Sequence, residues 1–261
     1  MAFIGTLIAA ALALSTDNNL KSPDRSGSKC PVETGWLPIN KNPNLGFTVT
    51  GKINGYQTQV VIDTGAPVTT ISKKLSDTLK IPYVIGQQRD FLNARAQTFQ
   101  ANEVTIDLGI DAFYKQKVEV VDFRDFELLQ IPIEAIVGRD LLKYCKVNFD
   151  RKSNRIEISD NIQNKRLSRV KTFDENGDNF LYTTVSLNGG EKIKSYLDTG
   201  SATGYQVTSD RDGSHFVANG TRITTVPVSS AVAVSVEEIA VIPALSIDKY
   251  TVDRLEVNFA R

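Results

Sequence analysis

The stretch Val60-Val61-Ile62-Asp63-Thr64-Gly65-Ala66-Pro67-Val68-Thr69-Thr70-Ile71-Ser72 contains an apolar run, then Asp-Thr-Gly, then a second run of β-forming residues. The chain repeats the pattern in Ser195-Tyr196-Leu197-Asp198-Thr199-Gly200-Ser201-Ala202. One Asp-Thr-Gly is weak evidence, because a given tripeptide occurs by chance in roughly one chain in 30 of this length. Two copies, each directly behind an apolar strand, indicate a paired site.

The residue types of the repeated motif suit acid–base chemistry. A buried strand that ends in Asp places a carboxylate at the edge of the core, and Gly lets the backbone turn sharply behind it. Thr has a stiff side chain whose hydroxyl can form a hydrogen bond across a symmetric partner. Two such loops facing each other would bring Asp63 and Asp198 together, so that the two carboxylates share a proton. One would act as base and the other as acid on a single water molecule.

Three segments carry a resemblance to a known family. Asp63-Thr64-Gly65-Ala66 resembles the active-site motif of retropepsin-like aspartic peptidases, and Asp198-Thr199-Gly200-Ser201 resembles the same motif in its pepsin-like form. Ile136-Val137-Gly138, followed by Arg139-Asp140-Leu141-Leu142, resembles the apolar–apolar–Gly segment and short helix that close each lobe in this family. Gly138 lies 75 residues after Asp63 (138 − 63), which suits one lobe. The resemblance covers residues 40–158 well and residues 178–261 in part.

The resemblance implies a mostly β protein with two related, closed, aspartic-protease-like β lobes and few short helices. It implies an aspartic endopeptidase that hydrolyses peptide or protein substrates without a cofactor, with Asp63 and Asp198 as the catalytic residues. The residues that would support the two loops are Thr64, Gly65, Ala66, Thr199, Gly200 and Ser201, together with the apolar–Gly segment Ile136, Val137 and Gly138. The alternative is a non-catalytic peptide-binding or interaction module on the same fold.

An internal repeat predicts the domain organisation. Asn54-Gly55 and Asn188-Gly189 each predict a hairpin turn shortly before an Asp-Thr-Gly. The predicted units are a signal peptide (1–14), a linker (15–35), a first lobe (36–160), a second linker (161–177) and a second lobe (178–261). No apolar–apolar–Gly segment follows Asp198, so the second lobe is expected to be partial: either it is degenerate or the gene product continues further. In another possible assembly, two first lobes pair in a homodimer with two Asp63 residues.

The N-terminus predicts export. Residues 3–14 are an apolar run that is too short to span a membrane but suits a secretory signal, with Ala11-Leu12-Ala13 as a cleavage site. The expected location is periplasmic or secreted. If the segment is not cleaved, it would anchor the exported protein to the membrane. The alternative is that the segment is not a signal and is buried in the fold. Cys30 and Cys145 could pair in such an oxidising compartment.

The composition does not favour nucleic-acid binding or a metal site. Lys and Arg number 30 and Asp and Glu number 30, so no net charge attracts nucleic acid. The single histidine, His215, has no ligand-spaced partners, so no metal site is predicted.

Two segments after the first Asp-Thr-Gly predict local structure. Ser72 to Lys80 predicts a short helix before Pro82. The polar stretch 86–100 occupies the place of the flap in the family, and an ordinary exposed hairpin is the alternative.

Overall fold

The computed structural model describes residues 30, 32–40, 46–91, 94–124, 126, 132–150, 152–160, 171–173, 180–190, 192–200, 205–208, 222–229 and 234–260. These residues form a mostly β structure with few short helices, which confirms the predicted fold class. The strands are β1 (Leu37–Pro38), β2 (Thr48–Ile53), β3 (Tyr56–Ile62), β4 (Thr70–Ser72), β5 (Tyr83–Phe91), β6 (Ala94–Asp107), β7 (Ala112–Val121), β8 (Ile133–Val137), β9 (Lys146–Asp150), β10 (Arg155–Ser159), β11 (Tyr182–Leu187), β12 (Lys192–Tyr196), β13 (Tyr205–Thr208), β14 (Thr224–Ser229), β15 (Val234–Ile247) and β16 (Tyr250–Ala260). The helices are α1 (Lys73–Thr78) and α2 (Arg139–Leu142).

The hairpin before Asp63 forms as its turn predicts. Asn54 and Gly55 have φ angles of 48° and 85°, both positive, as a two-residue type I′ turn requires. β2 and β3 pair antiparallel from Thr48 opposite Val61 to Ile53 opposite Tyr56. The second strand of the hairpin therefore ends directly at Asp63.

Six strands of the first lobe close into a ring. They follow the order β2-β3-β8-β4-β7-β6, and the pairing of β6 with β2 completes the circle. β5 extends this sheet as the outer strand of a hairpin with β6. Closure places β8 between β3, to which it is parallel, and β4, to which it is antiparallel. The strand that leads into Asp63 is thus held on both sides.

The helix predicted after the first Asp-Thr-Gly is α1. Ser72 caps its N-terminus, because its Oγ accepts a hydrogen bond from the backbone N–H of Leu75 at 2.9 Å. Leu75 and Ser76 face the interior. The segment after Asp63 is therefore fixed first by β4 and then by a capped helix.

The first lobe has a large apolar core that includes part of the predicted linker. The sequence places residues 15–35 in a linker, but Cys30 forms a disulfide with Cys145, and Val32 and Thr34 are buried. Thr34 donates its backbone N–H to the carbonyl of Ile158 at 3.1 Å. The described part of this stretch is therefore packed against the first lobe. The sequence did not predict this, because most residues of the stretch are polar and only a few side chains enter the core.

The second lobe has its own smaller core. Its buried side chains are Val185, Leu187, Ala240, Ile242, Leu245, Leu255 and Val257. The turn residues Asn188 and Gly189 have φ angles of 52° and 71°, so the predicted turn of the repeat is present. The strand order β12-β11-β15-β16-β13, with β14 on β15, matches the order β3-β2-β6-β7-β4, with β5 on β6, in the first lobe.

Some predictions fall on residues outside the described ranges. These are the signal peptide (1–14), most of both linkers, Ser201 and His215. The domain boundaries stay predictions. Among the described residues no helix is long and apolar enough to cross a membrane.

Candidate active site

The first Asp-Thr-Gly loop is supported by β8. The backbone N–H of Asp63 donates to the carbonyl of Val137 at 3.0 Å, and the N–H of Arg139 donates to the carbonyl of Ala66 at 2.8 Å. Oδ1 of Asp63 accepts the N–H groups of Gly65 (2.7 Å) and Ala66 (3.0 Å). These bonds fix both the backbone and one carboxylate oxygen of the loop.

The second loop repeats part of this geometry. The N–H of Leu197 donates to the carbonyl of Leu181 at 2.8 Å, which holds the backbone just before Asp198. Oδ1 of Asp198 accepts the N–H of Gly200 at 2.7 Å. The repeated sequence thus produces a repeated arrangement of carboxylate and backbone.

The two loops are joined through their threonines. The N–H of Thr64 donates to Oγ1 of Thr199 at 3.0 Å, and the N–H of Thr199 donates to Oγ1 of Thr64 at 3.1 Å. Oγ1 of Thr64 donates to the carbonyl of Leu197 at 2.6 Å, and Oγ1 of Thr199 donates to that of Ile62 at 2.7 Å. Each hydroxyl is therefore acceptor and donor at once, which a valine of the same shape could not be.

The glycines of the motif allow the carboxylates to approach. A Cβ atom on Gly65 would lie 2.5 Å from Cγ of Asp198, and one on Gly200 would lie 2.4 Å from Cγ of Asp63. Both distances are too short for any side chain. Each carboxylate therefore packs over the glycine of the opposite loop.

The pair is arranged to hold a proton. Burial raises the pKa of Asp63 well above its ordinary value, and the charge of Asp198 and a hydrogen bond to its side chain raise this pKa further. The hydrogen bonds from Gly65 and Ala66 act in the opposite direction because they favour the ionised form. The net rise means that Asp63 holds its proton at a pH at which an exposed aspartate is ionised.

Two supports of the site were not predicted from the sequence. Oδ1 of Asp140 accepts both the N–H (2.9 Å) and the hydroxyl (2.7 Å) of Thr69, whose Oγ1 accepts the N–H of Gly138 at 3.0 Å. Gly46 lies against the second loop, where a Cβ would come within 2.2 Å of the carbonyl oxygen of Thr199. The sequence offered a signal for the first, since Asp140 lies two residues after Gly138 of the apolar–Gly segment, but none for Gly46.

The structure places the predicted residues as follows. It brings together Asp63, Asp198, Thr64, Thr199, Gly65 and Gly200, with Ala66 on the first carboxylate and with Ile136, Val137 and Gly138 behind the first loop. Ser201 lies outside the described residues. Within the described ranges no cluster of three His, Cys, Asp or Glu side chains could hold a metal ion.

The predicted flap region is the hairpin of β5 and β6. Arg89 on β5 reaches Glu119 on β7, with Nε 2.9 Å and Nη2 2.8 Å from the same carboxylate oxygen. The ion pair ties the hairpin to the wall of the lobe. A cavity of about 280 Å³ lies between the hairpin and β7. Val68 and Asp140 also line it.

The chain is similar to known proteins over part of its length. Residues 49–144 match the family described as gag-polyprotein putative aspartyl protease. Similar solved structures include the EIAV protease complexed with the inhibitor HBY-793, at 22% identity over 40% of this chain and 92% of that chain, with a TM-score of 0.31. Another is a retropepsin-like aspartic protease from Rickettsia conorii, at 18% identity over 48% of this chain and 89% of that chain, with a TM-score of 0.36. No curated protein matches the chain in sequence.

Proposed function

We propose that the protein is a retropepsin-like aspartic protease that hydrolyses peptide bonds at Asp63 and Asp198, and the match of residues 49–144 to the aspartyl protease family supports this proposal. One observation carries the proposal: the two carboxylates face each other across glycines that exclude any side chain, and they are joined by a hydrogen bond. Such a pair can hold one proton between two carboxylates, which is the arrangement that water activation needs.

The proposed reaction uses this shared proton. The ionised carboxylate of the pair removes a proton from water while the water oxygen attacks the peptide carbonyl carbon. The protonated carboxyl donates its proton to the carbonyl oxygen, which gives a neutral tetrahedral intermediate. That intermediate collapses as the peptide nitrogen takes the proton of the pair, the C–N bond breaks, and one hydroxyl of the intermediate gives its proton to the other carboxylate as the new C=O forms. The pair returns to one proton, so it is restored for the next turnover.

The threonine network has a positioning role in this proposal. Acid–base catalysis loses rate steeply when groups move by as little as 1 Å. Thr64 and Thr199 connect the two loops through four hydrogen bonds between 2.6 and 3.1 Å, so the loops move as one unit. This supports pairing of Asp63 with Asp198 of the same chain, and it does not favour a homodimer in which two Asp63 residues meet.

The substrate is proposed to be an extended peptide under the β5–β6 hairpin. Arg89 and Glu119 join this hairpin to the lobe, and the adjacent cavity contains the additional cation Lys117. A hairpin that covers the bound peptide would exclude water other than the reacting molecule. The Cys30–Cys145 disulfide supports the accompanying proposal that the protein works in an oxidising, extracytoplasmic location.

The test is cleavage of a mixed peptide library from about pH 3 to pH 8, the range in which carboxylate pairs titrate. Wild type is compared with Asp63→Asn, Asp198→Asn and a mixture of the two variants, each checked for native unfolding behaviour. We expect cleavage by wild type alone. Cleavage by Asp198→Asn would instead assign activity to a homodimer, and unchanged cleavage by Asp63→Asn would refute the aspartic mechanism.

One observation favours a second function, a peptide-binding module without catalysis. Among the described strands, the second lobe has no counterpart of β8, the strand that supports the loop of Asp63. Looser support of Asp198 would weaken catalysis more than binding. Binding of a pepstatin-like inhibitor by a protein that cleaves no peptide at any pH would favour this function.

A further inference from the structure

The cavity between the β5–β6 hairpin and β7 has a continuous polar wall. Gln100 on β6 lies opposite Glu119 on β7, and Lys117 lies two positions before Glu119 on the same strand. Because side chains alternate along a strand, these three share one face of the sheet, and all three line the cavity. Arg89 of β5 reaches the same face, since its Nη2 lies 2.8 Å from the carboxylate of Glu119. The opposite face carries buried side chains such as Val118.

Two further lining residues belong to the support of the first Asp-Thr-Gly loop. Val68 lies five residues after Asp63, and Asp140 accepts two hydrogen bonds from Thr69. The volume of about 280 Å³ is just below the roughly 300–1,000 Å³ of small-molecule sites, so the cavity suits a single side chain. A peptide that runs under the hairpin to Asp63 would pass this cavity and could place one side chain in it.

Three of the four charged groups that line the cavity already have partners. Oε1 of Glu119 contacts both Nε (2.9 Å) and Nη2 (2.8 Å) of Arg89. Oδ1 of Asp140 accepts three hydrogen bonds, from two backbone N–H groups and from the hydroxyl of Thr69. Among the described residues, the ammonium group of Lys117 forms no ion pair. The charge that the cavity offers to a ligand is therefore positive.

We propose that this cavity, the Lys117 pocket, binds an acidic side chain of the peptide substrate, and that Lys117 determines this specificity. The assignment rests on the proposed peptidase function. A substrate Asp or Glu would form a charge-assisted hydrogen bond with the ammonium group, and the amide of Gln100 is suited to donate a second bond. A substrate Lys or Arg would meet the charge of Lys117 and would find the carboxylate of Glu119 already bonded to Arg89.

The expected size of the preference follows from exposure. Lys117 is exposed in the free protein, and an ion pair on an open surface contributes little. A bound peptide under the hairpin would displace water from the pocket, and the interaction strengthens as the surroundings become less polar. We therefore expect Asp and Glu to be preferred over Asn and Gln by about three- to tenfold, between the values for exposed pairs and for charged hydrogen bonds.

The test uses the full chain and one equimolar library of random peptides at about pH 6, where Asp and Glu are ionised. In the first readout, wild type cleaves the library and the products are sequenced. In the second, the same library is passed over immobilised Asp63→Asn protein, and the bound peptides are eluted and sequenced. The second readout does not depend on turnover. We expect enrichment of Asp and Glu over Asn and Gln at one position of the cleaved peptides and of the bound peptides.

Variants of Lys117 assign the preference to the pocket. Lys117→Gln should remove the enrichment, and Lys117→Glu should replace it by enrichment of Lys and Arg at the same position. Lys115→Gln is the matched control, because Lys115 is an exposed lysine of the same strand that pairs with Glu103 at 3.0 Å and is not a lining residue of the pocket. It should keep the acidic preference. Urea unfolding of each variant checks that the fold is intact.

The two readouts separate the pocket from the peptidase activity. Absence of cleavage together with Lys117-dependent enrichment among the bound peptides would refute the peptidase function and support the pocket. No acidic enrichment in either readout would overturn the proposal, as would enrichment that persists in Lys117→Gln. Equal loss in Lys115→Gln would also overturn it, because the preference would then come from the general charge of β7.

Discussion

Thr64 and Thr199 exchange hydrogen bonds in a symmetric manner: each backbone N–H donates to the other residue's hydroxyl, at 3.0 and 3.1 Å. Each hydroxyl then donates to the carbonyl of the residue that precedes the partner's aspartate. Thr64 is almost fully buried, at 1% exposure, so these bonds are shielded from water. Two loops far apart in sequence are thereby held as one structure, and the distance between the carboxylates depends on both threonines.

Replacing either threonine by valine should therefore lower both stability and activity. Thr64→Val keeps the shape but leaves the N–H of Thr199 and the carbonyl of Leu197 unsatisfied, at about 1–3 kcal/mol for each buried group. We expect a matching fall in the free energy of unfolding in urea and a lower rate of peptide cleavage. Thr64→Ser, which keeps the hydroxyl, is the control and should lose much less. Equal stability of the Val and Ser variants would show that the network contributes little.

Asp63→Asn should stabilise the protein increasingly as pH rises. Because the pKa of Asp63 is raised in the folded state, its favourable contribution is complete below the ordinary carboxyl pKa of about 3.9 and is lost as pH rises through the raised value. Between these two values the wild type loses up to about 1.4 kcal/mol per pH unit from this group. Asparagine stays neutral, so urea unfolding from about pH 4 to pH 7.5 should show a growing advantage for the variant.

Asp150 provides a control of the opposite sign. The backbone N–H of Ser153 and then its side chain lower the pKa of Asp150, and a hydrogen bond from Arg155 lowers it further. A lowered pKa stabilises the fold above the ordinary carboxyl pKa, and this contribution is lost as pH falls through the lowered value. Asp150→Asn should therefore be less stable than wild type near neutral pH, with the difference shrinking toward acid. The same pH trend in both variants would contradict the assignment for Asp63.

Local sequence patterns account for much of what the structure shows. Asn54-Gly55 specifies its turn through two positive φ angles, and the apolar strand behind it ends at Asp63, so hairpin and carboxylate are both predictable. Asn188-Gly189 specifies the corresponding turn of the second lobe in the same way. Such features depend on residues within about ten positions of one another.

The unpredicted features join residues that are distant in sequence. Thr69 and Asp140 are 71 positions apart, and the sequence around each residue does not indicate that the two form a hydrogen bond. Gly46 matters only because the backbone of Thr199 lies against it. The sequence allowed Cys30 to pair with Cys145, but it did not predict that Val32, in the same polar stretch, is buried. Tertiary contacts decide each of these cases.

Gly46→Ala should disturb the second loop. The added Cβ would lie 2.2 Å from the carbonyl oxygen of Thr199, which also accepts the N–H of Phe47 at 3.0 Å. The backbone must move, so we expect a loss of about 1–3 kcal/mol in unfolding free energy and a clear loss of cleavage. Gly190→Ala, in an exposed turn with a nearest contact of 3.1 Å, is the matched control. Similar losses in both would mean that the lobe contact is unimportant.

Asp140 should be essential for the shape of the first loop. Its Oδ1 accepts two hydrogen bonds from Thr69, which in turn accepts the N–H of Gly138. Asp140→Ala removes the shared acceptor and should cost about 1–3 kcal/mol in urea unfolding. Asp140→Asn keeps an oxygen in the same position and should recover most of the stability. If the Asn variant were as unstable as the Ala variant, the charge of Asp140 and not its acceptor geometry would be the important property.

Reduction should destabilise the first lobe through its disulfide. The bond joins Cys30 to Cys145 across 115 positions, and the chain-entropy model gives a stabilisation of about 4–5 kcal/mol for a loop of that length. Dithiothreitol should therefore lower the urea midpoint of wild type toward that of the double variant Cys30→Ser, Cys145→Ser. The double variant is its own control, since it has no remaining cysteine for the reductant to act on. An unchanged midpoint for reduced wild type would show that the contacts of Val32 and Thr34 hold the N-terminal segment without the bond.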